Sequence, residues 1–376
     1  MSVRALPLAR ALAARGHAVR MILPPWDFPQ DAGGSRQDAG VEIENIELPA
    51  GLPGWFHVST TRRLVQRALD FQPEVIHCFK PKAYAGLAAW WLWQLKRLGH
   101  VKARVVVDAD DWEGAGGWNE ANAYSWAQKK MFAWQEQWGL THHDGVTVAS
   151  KTLQSIVWSL GAKPERVTYV PNGVVNSQYG IENSALRSVP AKFHILLYTR
   201  FFEFTIERVL EVLRRVAEQI PEARLVVVGK GLSGEENRLL KQAEAMGLRG
   251  LIEYVGWIDA AALPDYFAQA SVAIHPFDDT LINRTKCSVK LIDLLSAGVP
   301  VVADAVGQNA EYIRPNETGV LVPSGDATAM AQAVIDLLRD RERADRLGRS
   351  AAEDVLDRFS WDRLAKIVEQ AYGVVR

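Results

Sequence analysis

FHILLYTRFFEFTIERVLEVLRRVAEQIPEARLVVVG, residues 193–229, sets two short apolar runs on either side of a helical pattern. FHILLY and ARLVVVG are near-continuous in Val, Ile and Leu, the composition of strands covered on both faces. IERVLEVLRRVAEQI between them is long enough to be the crossover joining two parallel strands. The alternation continues outward. LIEYVG, SVAIHP, VPVVAD and GVLV follow, with ENRLLKQAEAMG and KLIDLLSAG among them. HAVRMIL, EVIHC, ARVVVD, GVTVAS and RVTYV precede, separated by patterns such as PLARALAARG and KTLQSIVWSLG. The expected fold class is α/β, with two doubly wound domains built on parallel sheets.

The stretch from residue 171 to 193 is polar, turn-rich and without period. It divides the chain into a first domain at 1–175, a linker at 176–192 and a second domain at 193–357. Residues 358–376 form a closing helical segment expected to pack back towards the first domain. Ligands of such sheets bind beyond the carboxyl ends of the strands, so the expected site is the cleft between the domains. Residues 5–15 read as a helix and 18–24 as the strand after it. The first domain thus opens on a crossover helix, and the expectation is that its first, central strand is missing because the numbered chain lacks a short N-terminal segment.

Composition narrows the function. Among 376 residues, 43 Lys and Arg balance 44 Asp and Glu, which argues against a protein whose task is to neutralise nucleic-acid phosphates. Two cysteines, Cys78 and Cys287, supply neither a disulfide framework nor a cysteine zinc site, and fit a reducing cytoplasm. No apolar run reaches the ~18 residues of a spanning helix. Arg4, Arg10 and Arg15 interrupt the N-terminal apolar stretch, unlike a signal peptide. Eleven of the 13 tryptophans precede residue 160, giving the first domain the aromatic surface. Trp90, Trp91 and Trp93 in AAWWLWQLKRL, beside Lys96 and Arg97, have two readings: a helix lying on a membrane surface, or one buried against a sheet. The expected location is cytoplasmic, with peripheral contact at the inner membrane face as a further expectation.

LYTRFF, ARLVVVGKG, LIEYVGWI, LPDYFAQASVAIHPF, KLIDLLSAGVPVVA, TGVLVPSGD and RFSWDRLA stand in order from about residue 193 onward. Together they resemble the donor-binding domain of GT-B glycosyltransferases, specifically retaining family 4. LARALAARGHAV, EVIHC, VTVAS and YVPNGV are weaker matches in the first half. The resemblance implies a GT-B fold, two Rossmann-like domains facing a cleft. It also implies transfer of a sugar from a nucleotide diphosphate sugar to a sugar or lipid-linked acceptor in the first domain, with retention of configuration and without metal or other cofactor.

A diphosphate needs cations, helix N-termini and close backbone approach. Arg200, at the end of a strand, matches the family's diphosphate clamp; its alternative is a surface ion pair. The lysine the family places five residues later is Thr205 here, and Arg208 is the candidate replacement. In KCSVKLIDLLSAG, Lys286, Lys290 and Asp293 fall at i, i+4 and i+7, one stripe of a helix. Amides around Cys287 and Ser288 would receive a phosphate, Lys290 would stabilise its departure, and Asp293 would accept ribose hydroxyls; a Lys290–Asp293 surface pair is the alternative. The family's two glutamates, eight residues apart, align with Thr285 and Asp293, so the first carboxylate is lost. Gly229 and Gly231 in GKGLSG either admit a base or ribose, or make a tight turn; the full dinucleotide fingerprint is absent, which excludes a nicotinamide enzyme.

In the first domain Asp108, Asp110, Asp111 and Glu113 crowd a strand end. They read as acceptor-hydroxyl ligands, with Asp110 or Asp111 as the base, as an Asp-x-Asp metal motif, or as N-caps ahead of residues 112–118. His77 with Lys80 and Lys82 would hold an acceptor's phosphate, or His77 is structural. Asn172 and Gly173 form a turn near the cleft or a hinge. Two other functions remain open: a catalytically silent nucleotide-sugar binder or partner subunit, and an epimerase using His275, Asp278 and Asp279.

Overall fold

The computed structural model describes residues 3–51, 53–175 and 193–373; the expected linker, 176–192, lies outside them. Two compact units result: one of Met1–Asn172, Thr285–Cys287 and Trp361–Arg376, the other of Gly173–Arg284 and Ser288–Ser360.

Among the described residues the first unit holds seven strands in two sheets. β1 (Val19–Leu23), β2 (Ser35–Asp38) and β3 (Val41–Asn45) take the order β1-β3-β2. β4 (Val75–Phe79), β5 (Arg104–Ala109), β6 (Gly145–Val148) and β7 (Val167–Tyr169) form a parallel sheet in sequence order. β2 runs antiparallel to β3, which corrects the expectation of parallel sheets throughout. The two-residue turn Ala39-Gly40 has φ of 48° and 83°, the primed-turn geometry that matches strand twist.

Helix Ala5–Ala14 serves two cores because its apolar residues lie on two faces. Leu6 and Ala9 pack with Val41 and Ile43, while Leu8 and Leu12 pack with Trp361, Leu364 and Val368. Val19 of β1 and Phe79 of β4, each on an edge strand, flank that second cluster. Helix Trp361–Ala371 is thus part of this unit, and Arg15 clamps its Glu369 with two bonds of 2.7 and 2.6 Å.

Helix Ala83–Arg97 packs on β4 and β5, between helices Pro53–Asp70 and Trp126–His142. Trp90, Trp91 and Trp93 are half-buried, and Trp91 packs against the core cluster that holds Val65, Ala89 and Val105. The structure thereby decides between the two readings of AAWWLWQLKRL: this is a helix packed on a sheet.

Among its described residues the second unit carries one sheet of six parallel strands: β8 (His194–Tyr198), β9 (Arg224–Val228), β10 (Ile252–Gly256), β11 (Val272–His275), β12 (Val301–Asp304) and β13 (Val320–Val322). Their order is β10-β9-β8-β11-β12-β13. Val209, Leu213 and Val216 of helix Ile206–Gln219 meet Val334, Ile335 and Leu338 of helix Ala327–Arg339 over Ile195, Leu197 and Val227. Strand order reverses between β8 and β11, and at such a switch point the loops diverge and leave a crevice for ligands.

Candidate functional site

In the second unit the switch point fixes where to look. The loop after β8 is held in a strained shape: Phe201 is buried with φ of 70°, and its N–H donates to Thr199 Oγ1 at 2.8 Å. A Cβ on Gly229, at the end of β9, would lie 1.9 Å from the Thr199 carbonyl oxygen, so only glycine permits this approach. Across the switch point Asn283 Nδ2 donates to Glu203 O at 2.7 Å and to Asp278 O at 2.8 Å. The Asp278 N–H also bonds Glu203 O at 2.8 Å. Between these restraints sits Arg200, half-buried and without a hydrogen-bond or ion-pair partner among the described residues.

Helix Val289–Ser296 brings the next groups. Ser288 is its N-cap, accepting the Leu291 N–H. Lys290 reaches the Tyr198 ring at the end of β8, 5.4 Å from its centroid. Asp293 is 8% exposed, which excludes an exposed surface pair, and its carboxylate accepts no hydrogen bond among the described residues. Burial pushes its pKa up to about 7, against the pull of Lys290. Lys286 is half-buried and corrects the expected three-residue stripe: the helix begins only at Val289, and Lys286 precedes it in the segment Thr285–Cys287 of the first unit. Cys287 belongs to the first unit, where its sulfur and carbonyl accept the N–H and Nδ2 of Asn172, both at 3.1 Å.

Two expectations in this unit change. Arg208 does not replace the missing lysine: it is buried, with Nη1 2.6 Å from Asp304 and Nη2 3.1 Å from Asp278. Asp304 also accepts the Phe277 N–H at 2.6 Å. Gly231 donates its N–H to Glu236 at 3.0 Å, and Ser233 donates to Glu235 at 2.7 Å. The GKGLSG loop is therefore a turn closed by two carboxylates, the second of its two expected readings.

In the first unit the four carboxylates separate into two groups. Asp108 is buried, gripped by Arg4 Nε and Nη2 at 2.7 and 2.6 Å and by the Thr147 hydroxyl at 2.5 Å. Burial opposes its charge, but Arg4, His77 and Thr147 outweigh that and hold its pKa down. His77 is bonded on both nitrogens, to the Tyr372 hydroxyl at 2.8 Å and to Thr147 at 3.0 Å, and burial lowers it to about 4. Neither residue presents a free polar atom to an acceptor, so both are reassigned to a structural network.

Asp110, Asp111 and Glu113 surround Lys80, whose Nζ lies 3.5, 3.4 and 3.9 Å from them. Lys82 takes Glu113 at 2.6 Å. Burial raises Asp110 to about 6; Lys80 opposes this, while Asp111 and Asp108 add to it. Such a group exchanges a proton near neutral pH. Helix Trp118–Ala121 has Gly117 as its N-cap, with no side-chain cap, so these aspartates are not caps. Among the described residues no group of three or more His, Cys, Asp or Glu is arranged to hold a metal ion.

Behind this cluster stand two residues that pattern reading missed. Gln135 brackets the backbone of Ala83, accepting its N–H at 2.9 Å and donating to its carbonyl at 3.1 Å. That fixes the loop in which Lys80 and Ala83 hold φ of 62° and 52°. Glu136, fully buried, accepts the Glu113 N–H with both oxygens and is raised by burial to about 8. The signal available was a Gln-Glu pair inside an otherwise apolar helix stripe.

The two-unit α/β architecture, with a 3-2-1-4-5-6 sheet and a cation at its switch point, is that of a GT-B protein. Residues 186–354 match the family of group 1 glycosyl transferases, and residues 1–173 match the glycosyl transferase 4-like domain. The chain belongs to the group 1 GT-B glycosyltransferases. It is 28% identical over 221 residues to phosphatidyl-myo-inositol mannosyltransferase of Mycobacterium leprae, covering 58% of this chain and 56% of that one. It is 27% identical over 234 residues to a GDP-mannose-dependent phosphatidylinositol monomannoside mannosyltransferase of Mycobacterium tuberculosis, covering 59% and 60%. The match thus spans little more than half the length of these relatives. Sucrose-phosphate synthase from Thermosynechococcus elongatus shares the fold with a TM-score of 0.72 and 24% identity, over 97% of this chain and 91% of that one. Anabaena HepE, solved with UDP and glucose, gives 0.69 and 16%, over 98% and 95%. No helix among the described residues is long and apolar enough to cross a membrane.

Proposed function

We propose that the protein transfers a sugar from a nucleotide diphosphate sugar to a sugar or lipid-linked acceptor, with retention of configuration and without a metal ion. The observation that carries this reading is Arg200, a half-buried, partnerless guanidinium beside the switch point of a parallel sheet. A half-buried guanidinium with no counter-charge has its donors open to an anionic ligand. Arg200 and Lys290 meet the pyrophosphate and stabilise the leaving charge as the glycosidic bond breaks. Asp293 accepts ribose hydroxyls. Lys286, Ser288 and the helix N-terminus complete the phosphate surroundings, with Gly229 shaping the approach. In the first unit Asp111 and Lys80 hold the acceptor, and Asp110 takes its proton. The protein acts in the cytoplasm, with peripheral contact at the inner membrane face, where a lipid-linked acceptor lies.

The silent-binder alternative rests on Thr285, which stands where the family has a carboxylate. The epimerase alternative loses support, because Asp278 pairs with Arg208 and Asp279 with Arg284. A thermal-shift screen over nucleotide diphosphate sugars tests the reading: the matching donor raises Tm by linkage, and Arg200→Ala abolishes the rise. Release of nucleoside diphosphate separates a transferase from a silent binder. If no donor shifts the melting temperature, the reading is wrong.

A further inference from the structure

The outward face of helix Trp126–His142 is aromatic and basic. Trp126 is 76% exposed, Trp134 45% and Met131 40%. Lys130 is exposed between them. Trp126, Lys130 and Trp134 recur every four residues and so share one stripe. A capping box formed by Ser125 and Gln128 fixes the first turn, so Trp126 projects from ordered helix.

The exposed charges carried by this helix and its neighbour are basic, while Asp144, which pairs with Lys96 at 2.6 Å, and exposed Glu120 lie at their borders. The helix has a single acidic residue, Glu136, and it is fully buried. Helix Ala83–Arg97 beside it contains no Asp or Glu and ends on Lys96 and Arg97. Trp93 meets Trp138 edge-on at 5.2 Å, Trp138 stacks on His142 at 4.7 Å, and the Arg97 guanidinium lies 4.7 Å over Trp93. In a chain with 44 acidic residues, two adjacent helices offer solvent no carboxylate at all.

Indole rings interleaved with ammonium groups suit the boundary between lipid headgroups and acyl chains, and exposed Lys130, which has no ion-pair partner among the described residues, suits anionic headgroups. Protein interfaces are depleted in lysine, which favours lipid over a protein partner. We propose that helix Trp126–His142 docks the protein on an anionic phospholipid surface through Trp126, Lys130, Met131 and Trp134. This rests on the peripheral contact proposed above, and moves it from Trp90, Trp91 and Trp93 to an exposed face.

The test is sedimentation of the full chain with sucrose-loaded vesicles of phosphatidylcholine, alone or with roughly one-third phosphatidylglycerol. The chain should sediment with the anionic vesicles only, and less as salt rises. Trp126→Ser/Trp134→Ser should lower the bound fraction at least about fivefold, and Lys130→Glu by a smaller factor. Melting temperature and donor-induced shift, measured on the same variants, should match the parent. These two readouts report folding and the donor site separately from docking. Equal sedimentation of the folded double variant and of Lys130→Glu overturns the proposal. Failure of the parent to bind anionic vesicles overturns it as well.

Discussion

Lys290 Nζ stands 5.4 Å from the centroid of the Tyr198 ring. A helix cation and a strand-end aromatic ring are thereby brought together beside Asp293, which adds to the burial that raises the Tyr198 hydroxyl. The ring face, not the hydroxyl, meets the ammonium. Tyr198→Phe should therefore keep the donor-induced rise in Tm, and Tyr198→Ala should reduce it by weakening the seat of Lys290. Lys290→Ala should cut donor affinity about 10- to 100-fold, measured by titration calorimetry.

Asp293 gives donor binding a pH dependence. Its pKa is near 7, so between pH 6 and 8 it passes from mostly neutral to mostly ionised. The ionised carboxylate is the better acceptor for ribose hydroxyls. Donor affinity should rise several-fold across that window, and Asp293→Asn should flatten the profile.

Stability should run the other way. Glu136 is raised to about 8 from an ordinary value near 4.5, so between those values the folded chain binds more protons than the unfolded one. Stability then falls as pH rises through that window. Glu136→Gln should make denaturant midpoints less dependent on pH from about 5 to 8, at a cost near 1 kcal/mol for the disturbed Glu113 N–H contact.

Gly229→Ala tests the close approach to Thr199. With φ of 130° and a carbonyl oxygen 1.9 Å from the new Cβ, the backbone must move. A loss of at least about 2 kcal/mol is expected in urea unfolding, together with weaker donor binding as the loop carrying Arg200 shifts.

Arg208→Met leaves Asp304 buried opposite no cation. The expected cost is about 3–5 kcal/mol, and Arg208→Met/Asp304→Asn should recover much of it. The folded double variant should still respond to donor, because Arg208 belongs to the scaffold.

The second sheet was legible because most of its strands are near-continuous apolar runs set between periodic helices. Hairpin β2–β3 was not, since SRQD is polar and exposed and takes its pairing from the turn at Ala39-Gly40. At the candidate site, local pattern was enough to single out Arg200, by its position after a strand, and Asp293, by the helical stripe it shares with Lys290. It was not enough for Arg208, His77 or Asp108, whose partners lie 96, 295 and 104 residues away in sequence. Whether a polar residue faces a ligand or another side chain depends on such distant partners, and periodicity carries no trace of them.

The clamp between Arg15 and Glu369 has a consequence for dissection of the molecule. A fragment cut after Asn172 keeps helix Ala5–Ala14 but loses helix Trp361–Ala371 and Tyr372. It would carry an open apolar seam at Leu8, Leu12 and Val170, and an imidazole at His77 stripped of one bond. Supplying residues 361–373 on a tether should close that seam, while the Cys287 bonds to Asn172 would still need the third segment, Thr285–Cys287.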